Sequence, residues 1–204
     1  MTRTYRLKAL VLPALIAPLI IGCVSTGDVV YIEGLAVEYA TPTDLLDAAD
    51  HVVEGRVVSH RSAYWDTALD PTAFEGDDPV SNPLAGDVTT TDHSPSQIVV
   101  TYYDLEVTRV LGGTVAEGQT VTVVELGGEI DGTSYRMRDV PPLREGTPYV
   151  LALTEDAQAG VYHVTSPTQG AFERESSGEL SPTSPRNDIA EALEDALQAR
   201  LSEN

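Results

Sequence analysis

Cys23 is the only cysteine in the 204-residue chain. A lone thiol has no internal disulfide partner, so its chemistry must lie elsewhere. It stands at the end of an apolar run, directly after Gly22 and two isoleucines, Ile20 and Ile21. A thiol so placed can carry lipid as a thioether once the chain is cut at the small residue before it. The other chemistry-bearing residues are dispersed. His51, His60, His93 and His163 form no His-Glu-x-x-His pair and no close metal-ligand spacing. No Gly-x-Ser-x-Gly elbow occurs, and Asp131-Gly132-Thr133-Ser134-Tyr135 reads as a turn. Gly112-Gly113 and Gly127-Gly128 also read as turns, because they lack the helix and lysine of a phosphate loop. The acidic residues Asp66, Asp70, Glu75, Asp77 and Asp78 offer oxygen ligands, but not at the spacing of a calcium-binding loop. They read as a solvated segment. No catalytic residue, metal or cofactor is therefore expected.

The surroundings of Cys23 give it a context. Arg3, Arg6 and Lys8 make a basic start, followed by an apolar run from Ala9 to Ile21. As a helix that run is about 20 Å long at ~1.5 Å per residue, short of a bilayer core of roughly 30 Å. A basic start, a short apolar run and small residues are the layout of a cleaved export signal. Ile20-Ile21-Gly22-Cys23 resembles the lipobox of bacterial lipoproteins. The resemblance implies a signal peptide over 1–22, cleavage between Gly22 and Cys23, and lipid on Cys23. The expected location is the extracytoplasmic face of the cell membrane, with residues 23–40 as a lipid-anchored tether.

Charge narrows the partners. The chain has 12 basic and 32 acidic residues, a formal net charge of −20. Three of the basic residues and none of the acidic ones precede Gly22, so the remainder stands at −23. Phosphate contacts need clustered Lys and Arg, so nucleic acid is not an expected partner. Anionic headgroups are disfavoured for the same reason, which leaves acyl chains to hold the protein at a membrane.

The elements that would position any site are mostly strands. Thr41, Pro42 and Asp44 have the order of a helix start, and Leu45, Leu46 and Ala49 give that short helix an apolar side. His51 to Val58 reads as a strand with a bulge at Gly55. Residues 62–96, with four prolines and seven acidic residues, read as an exposed insertion. Within it Tyr64 and Trp65 are candidate ligand contacts, or staples that hold the segment down. Alternation resumes at Ile98, where Val99, Tyr103, Leu105 and Val107 share one side. QTVTVVEL follows with Val121 and Val123 facing together, and Asp131-Gly132 marks a hairpin. PYVLALTE, VYHVT and QGAFERE complete the set. Residues 176–204 read as a linker and a helix, with Asp188 and Glu191 as a capping box and Ile189, Leu193, Ala196, Leu197 and Leu201 at helical spacing.

These segments predict a mainly β fold, a small antiparallel barrel or sandwich of five to six strands in residues 41–175, with a short N-terminal helix and a C-terminal helix. ADHVVEGRVVSH, YYDLEVTRVLGGTVAEGQTVTVVELGG, PPLREGTPYVLALTE and VYHVTSPTQGAFE resemble an uncharacterised exported lipoprotein family of actinobacteria. That domain is similar in layout to the OB-like barrel of tissue inhibitors of metalloproteinases, and the likeness covers residues 42–175 without the insertion. It implies an architecture and no chemistry, because the residues concerned are core fillers and turn glycines. The metal-chelating N-terminal cysteine of those inhibitors has no counterpart, since Cys23 would be acylated. The expected function is a noncatalytic binding or interaction module of the cell envelope, monomeric, with an envelope protein or ligand as partner. The alternatives are an exported hydrolase or metal-dependent enzyme, and a passive structural envelope protein.

Overall fold

The computed structural model describes residues 28–32, 36–66 and 97–203. Gly22, Cys23 and residues 67–96 of the acidic segment lie outside the described residues. Nine strands are present among those described: β1 (Val29–Ile32), β2 (His51–Asp66), β3 (Gln97–Gly112), β4 (Thr120–Ile130), β5 (Thr133–Met137), β6 (Pro148–Asp156), β7 (Val161–Val164), β8 (Ala171–Arg174) and β9 (Leu180–Pro182). They form one sheet in the order β1-β5-β4-β3-β2-β6-β8-β9, with β7 pairing both β4 and β6.

The expected OB-like antiparallel barrel or sandwich of five to six strands is thus corrected to a mixed nine-stranded sheet with two α-helices. The pairings β1–β5 and β4–β7 are parallel. The difference has a physical source. β1 and β9 are four and three residues long, too short for alternation to mark them, and parallel pairing leaves no local signature. A second difference lies at Ser62 to Asp66, read as the start of the insertion. These residues complete β2, paired with Gln97 to Thr101.

The long strand β2 is central, with β3 on one side and β6 on the other. The bulge expected at Gly55 is seen as a register shift between Glu54 and Gly55. A Cβ there would stand 2.7 Å from the Glu106 carbonyl oxygen and 2.9 Å from Leu105 Cγ, so no side chain fits. The main core packs Val53, Val57, Leu105, Val121, Val123, Leu151 and Leu153.

A second core lies under the helices. In α1 (Pro42–Ala48) the Thr41 Oγ1 accepts the Asp44 amide at 3.2 Å, as its sequence order predicts. α2 (Leu193–Glu203) follows a 3-10 turn, Ala190–Ala192. Ile189, Leu193 and Leu197 pack against Leu45, Leu46, Val52, Leu111, Val150 and Phe172, so the C-terminal helix docks on the sheet. The capping box at Asp188 does not form. No side-chain cap bond starts the 3-10 turn, and Asp188 instead accepts from the buried Gln169 Nε2 at 2.8 Å. Gln169 also exchanges two hydrogen bonds with the Tyr39 backbone, joining the chain before α1 to the chain before α2.

Two substitutions test this packing. Gly55→Ala is expected to cost about 1–3 kcal/mol by forcing β2 away from β3. Leu193→Ala is expected to cost about 2–5 kcal/mol by opening a cavity in the second core. Urea unfolding would measure both, and a Leu193→Ala protein of unchanged midpoint would contradict the docked helix.

Candidate functional site

Strand register assembles a polar row on the inner face of the sheet. Ser62 on β2 pairs with Thr101 on β3, and Thr101 pairs with Glu125 on β4. The next row is His60, Tyr103 and Val123. Directly cross-strand residues share a face, so Glu125 stands beside Thr101 and continues the inward side of Val121 and Val123.

The polar row is wired in one direction. Thr101 Oγ1 donates to the Gly127 carbonyl at 2.8 Å. Its single proton being committed, the 3.2 Å contact with Ser62 Oγ has Ser62 as donor. Ser62 Oγ in turn accepts the Glu129 amide at 3.0 Å. Thr101 therefore has no donor left for Glu125. No hydrogen bond or ion pair reaches the Glu125 carboxyl from any other described residue.

Beyond Leu126 the strand changes partner. β4 pairs with β3 as far as Leu126 and with β5 from Gly127 onward. Gly127 and Gly128, read from sequence as a turn, are instead a bend within one strand, with φ of 102° and 145°. A Cβ on Gly128 would lie 2.4 Å from Ser62 Oγ and 2.5 Å from Thr101 Oγ1. The bend opens a cleft of about 220 Å³ bordered by Tyr103, Glu125, Leu126, Tyr135, Met137 and Val140. A second cleft of about 160 Å³ shares Glu125, Leu126, Met137 and Val140, and is closed by His163, Val164 and Pro167. Both are smaller than a typical drug-sized pocket of roughly 300–1,000 Å³, and suit a small ligand or one end of a larger one.

Electrostatics single out the same carboxyl. Glu125 is half-buried, and its carboxyl is set among protein atoms without being sealed from the cleft. Burial alone pushes its pKa up to about 7. Burial, reinforced by the Glu125 charge, pushes the Tyr103 phenol far above its usual range. At the rim His60 Nδ1 meets Glu145 Oε1 at 2.8 Å, and both side chains are half-exposed.

The histidines have structural engagements. His51 is buried, and its Nδ1 accepts the Thr114 amide at 3.2 Å. His163 Nδ1 donates to the Val124 carbonyl at 3.2 Å. Among the described residues no group of three or more His, Cys, Asp or Glu could hold a metal ion.

Tyr64 and Trp65, the residues singled out from sequence, line neither cleft. Tyr64 is 49% exposed at the end of β2. Trp65 is on the opposite face from Ser62 and Glu125, stacked on Tyr102 with ring centres 6.1 Å apart and planes 4° apart. It also meets His163 at 6.1 Å, and packs against Val100, Val124 and Val161. Cys23 and Gly22 lie outside the described residues. Glu125 is the residue that sequence reasoning passed over, although its period-two spacing from Val121 and Val123 was a usable signal.

Among known proteins, no family model and no curated sequence matches this chain.

The raised pKa of Glu125 has a consequence for stability. The folded protein holds this proton up to about pH 7, whereas the unfolded chain releases it near 4.5. The stabilisation is therefore complete below pH 4.5 and is lost as pH rises through 7. Glu125→Gln should remove that loss. Discounted for partial solvent access, the variant should be more stable than the parent by roughly 1–3 kcal/mol at pH 8. At pH 4.5 the two should be equal. Urea unfolding at both values checks this, and a constant difference would place the carboxyl in water.

Proposed function

We propose that this chain is a lipoprotein of the cell envelope, held on the extracytoplasmic face by lipid on Cys23, whose folded domain is a noncatalytic, monomeric binding module. The reading of the anchor is supported by the basic start, the short apolar run and Ile20-Ile21-Gly22-Cys23. Cleavage falls between Gly22 and Cys23. β1 begins six residues after Cys23, which at roughly 3.4 Å per residue keeps Val29 within about 20 Å of the anchored cysteine. Acyl chains, and no basic patch, hold so acidic a protein there. Nucleic acid is not a partner.

The binding role is carried by one observation, the Glu125 carboxyl that borders a cleft with no partner among the described residues. A half-buried carboxylate met by no protein donor is poorly solvated, and a ligand that supplies donors would offset this. The engagement of His51 and His163 in backbone hydrogen bonds supports a noncatalytic reading. The rival, an exported hydrolase, has one observation in its favour: a carboxyl with a pKa of about 7 is poised to act as a general base.

Two variants of the full-length protein test the proposal. Cys23→Ser is expected to abolish lipid incorporation and shift the protein from the membrane to the soluble fraction. Val140→Trp is expected to fill the cleft while leaving the anchor intact. Native mass spectrometry of protein extracted from membranes should find a bound molecule in the parent and lose it in Val140→Trp. Retention of the same molecule by the filled variant would refute the cleft as its site. Turnover of a defined ester or peptide, abolished by Glu125→Gln, would establish the hydrolase instead.

A further inference from the structure

We propose that the cleft binds a primary ammonium group carrying a short apolar chain, with the ammonium on Glu125 and the chain along Met137 and Val140. This inference rests on the binding-module reading and specifies its ligand.

The charge of the ligand follows from what surrounds the carboxylate. Thr101, its neighbour across the ladder, has already given its proton to the Gly127 carbonyl. Arg136 borders the cleft, its Nε donating to Ser134 Oγ at 3.0 Å, but its guanidinium makes no ion pair with Glu125, on which burial is the one resolved influence. His60 is engaged by Glu145 at the rim. Among the described residues the half-buried carboxylate thus meets no donor and no paired cation, and both would come from what occupies the cleft. An anion would add a charge beside Glu125 in a protein of net charge −20, and a neutral molecule would leave the carboxylate unneutralised. A cation is the species that improves on the empty state.

Its chemical type follows from the donor count. A quaternary ammonium brings charge but no N–H group, whereas a primary ammonium brings three donors. A divalent metal would need several hard ligands, and no group of three acidic or imidazole side chains is available among the described residues. The apolar part follows from the walls. Leu126, Met137 and Val140 border both the 220 Å³ and the 160 Å³ clefts. A chain lying on them leads from Glu125 toward Val164 and Pro167. The site thus offers one charged anchor and an apolar track. It fits an alkylamine, or the amine end of a larger envelope molecule.

The test is isothermal titration of the full-length protein in detergent at pH 8, where Glu125 is ionised, with n-butylammonium, butyrate and 1-butanol. The ammonium should bind at least tenfold more tightly than either of the others. Glu125→Gln should weaken it by roughly 10–100-fold, the range for hydrogen bonds to a charged group. Val140→Trp should abolish it, and cooperative unfolding would confirm that both variants are folded. Equal ammonium affinity in the parent and Glu125→Gln would overturn the assignment. Butyrate or butanol binding as tightly, and lost in Val140→Trp, would overturn the ammonium but leave the cleft as a ligand site. Failure of all three to bind the parent would overturn the present inference, while the molecule carried from membranes separately decides the binding role.

Discussion

Strand β4 serves two neighbours in succession, β3 as far as Leu126 and β5 from Gly127, because two residues without side chains lie at the crossing. Any Cβ at Gly128 would collide with the hydroxyls of Ser62 and Thr101. Those hydroxyls are themselves committed, one to the other and then to the Gly127 carbonyl. Bend and polar row are thus one device: the row holds the bend in place, and the bend consumes the Thr101 proton. What remains is Glu125, on the inward face, with a cleft at its side and no donor among the described residues.

This arrangement needs a rigid frame, and β2 supplies it. The strand belongs to both ladders, and its bulge at Gly55 lets it follow β3 closely while remaining paired with β6. The helices stabilise the other side through a separate core, far from the polar row in sequence and in packing. Gln169 ties the ends of that layer together through Tyr39 and Asp188. The cleft can therefore tolerate a group that lowers stability, because two apolar cores built without disulfides hold the fold elsewhere.

Several parts of this were legible in the residues. Thr41, Pro42 and Asp44 announce α1, because capping is a contact within four residues. The alternation of Val99, Tyr103, Leu105 and Val107 marks β3, and Gly55 marks its own bulge. Glu125 was legible as an inward-facing position, by its spacing from Val123, though not as a lone charge. Tyr64 and Trp65 attracted notice as aromatics in a polar stretch. Trp65 is accounted for by Tyr102 and His163, partners separated from it by 37 and 98 residues. Composition could not reveal that packing.

The sequence by itself determined the local periods, the cap of α1 and the Gly55 bulge, and with them the longer strands and both helices. These depend on neighbours within a few residues, where sterics and single hydrogen bonds decide. The tertiary structure decided the number of strands in the sheet, the parallel pairings, and the docking of α2. It alone also decided that Glu125 has no partner among the described residues. That outcome turns on one proton of Thr101 being spent on a carbonyl 26 residues away, and register, not sequence spacing, brings those two groups together.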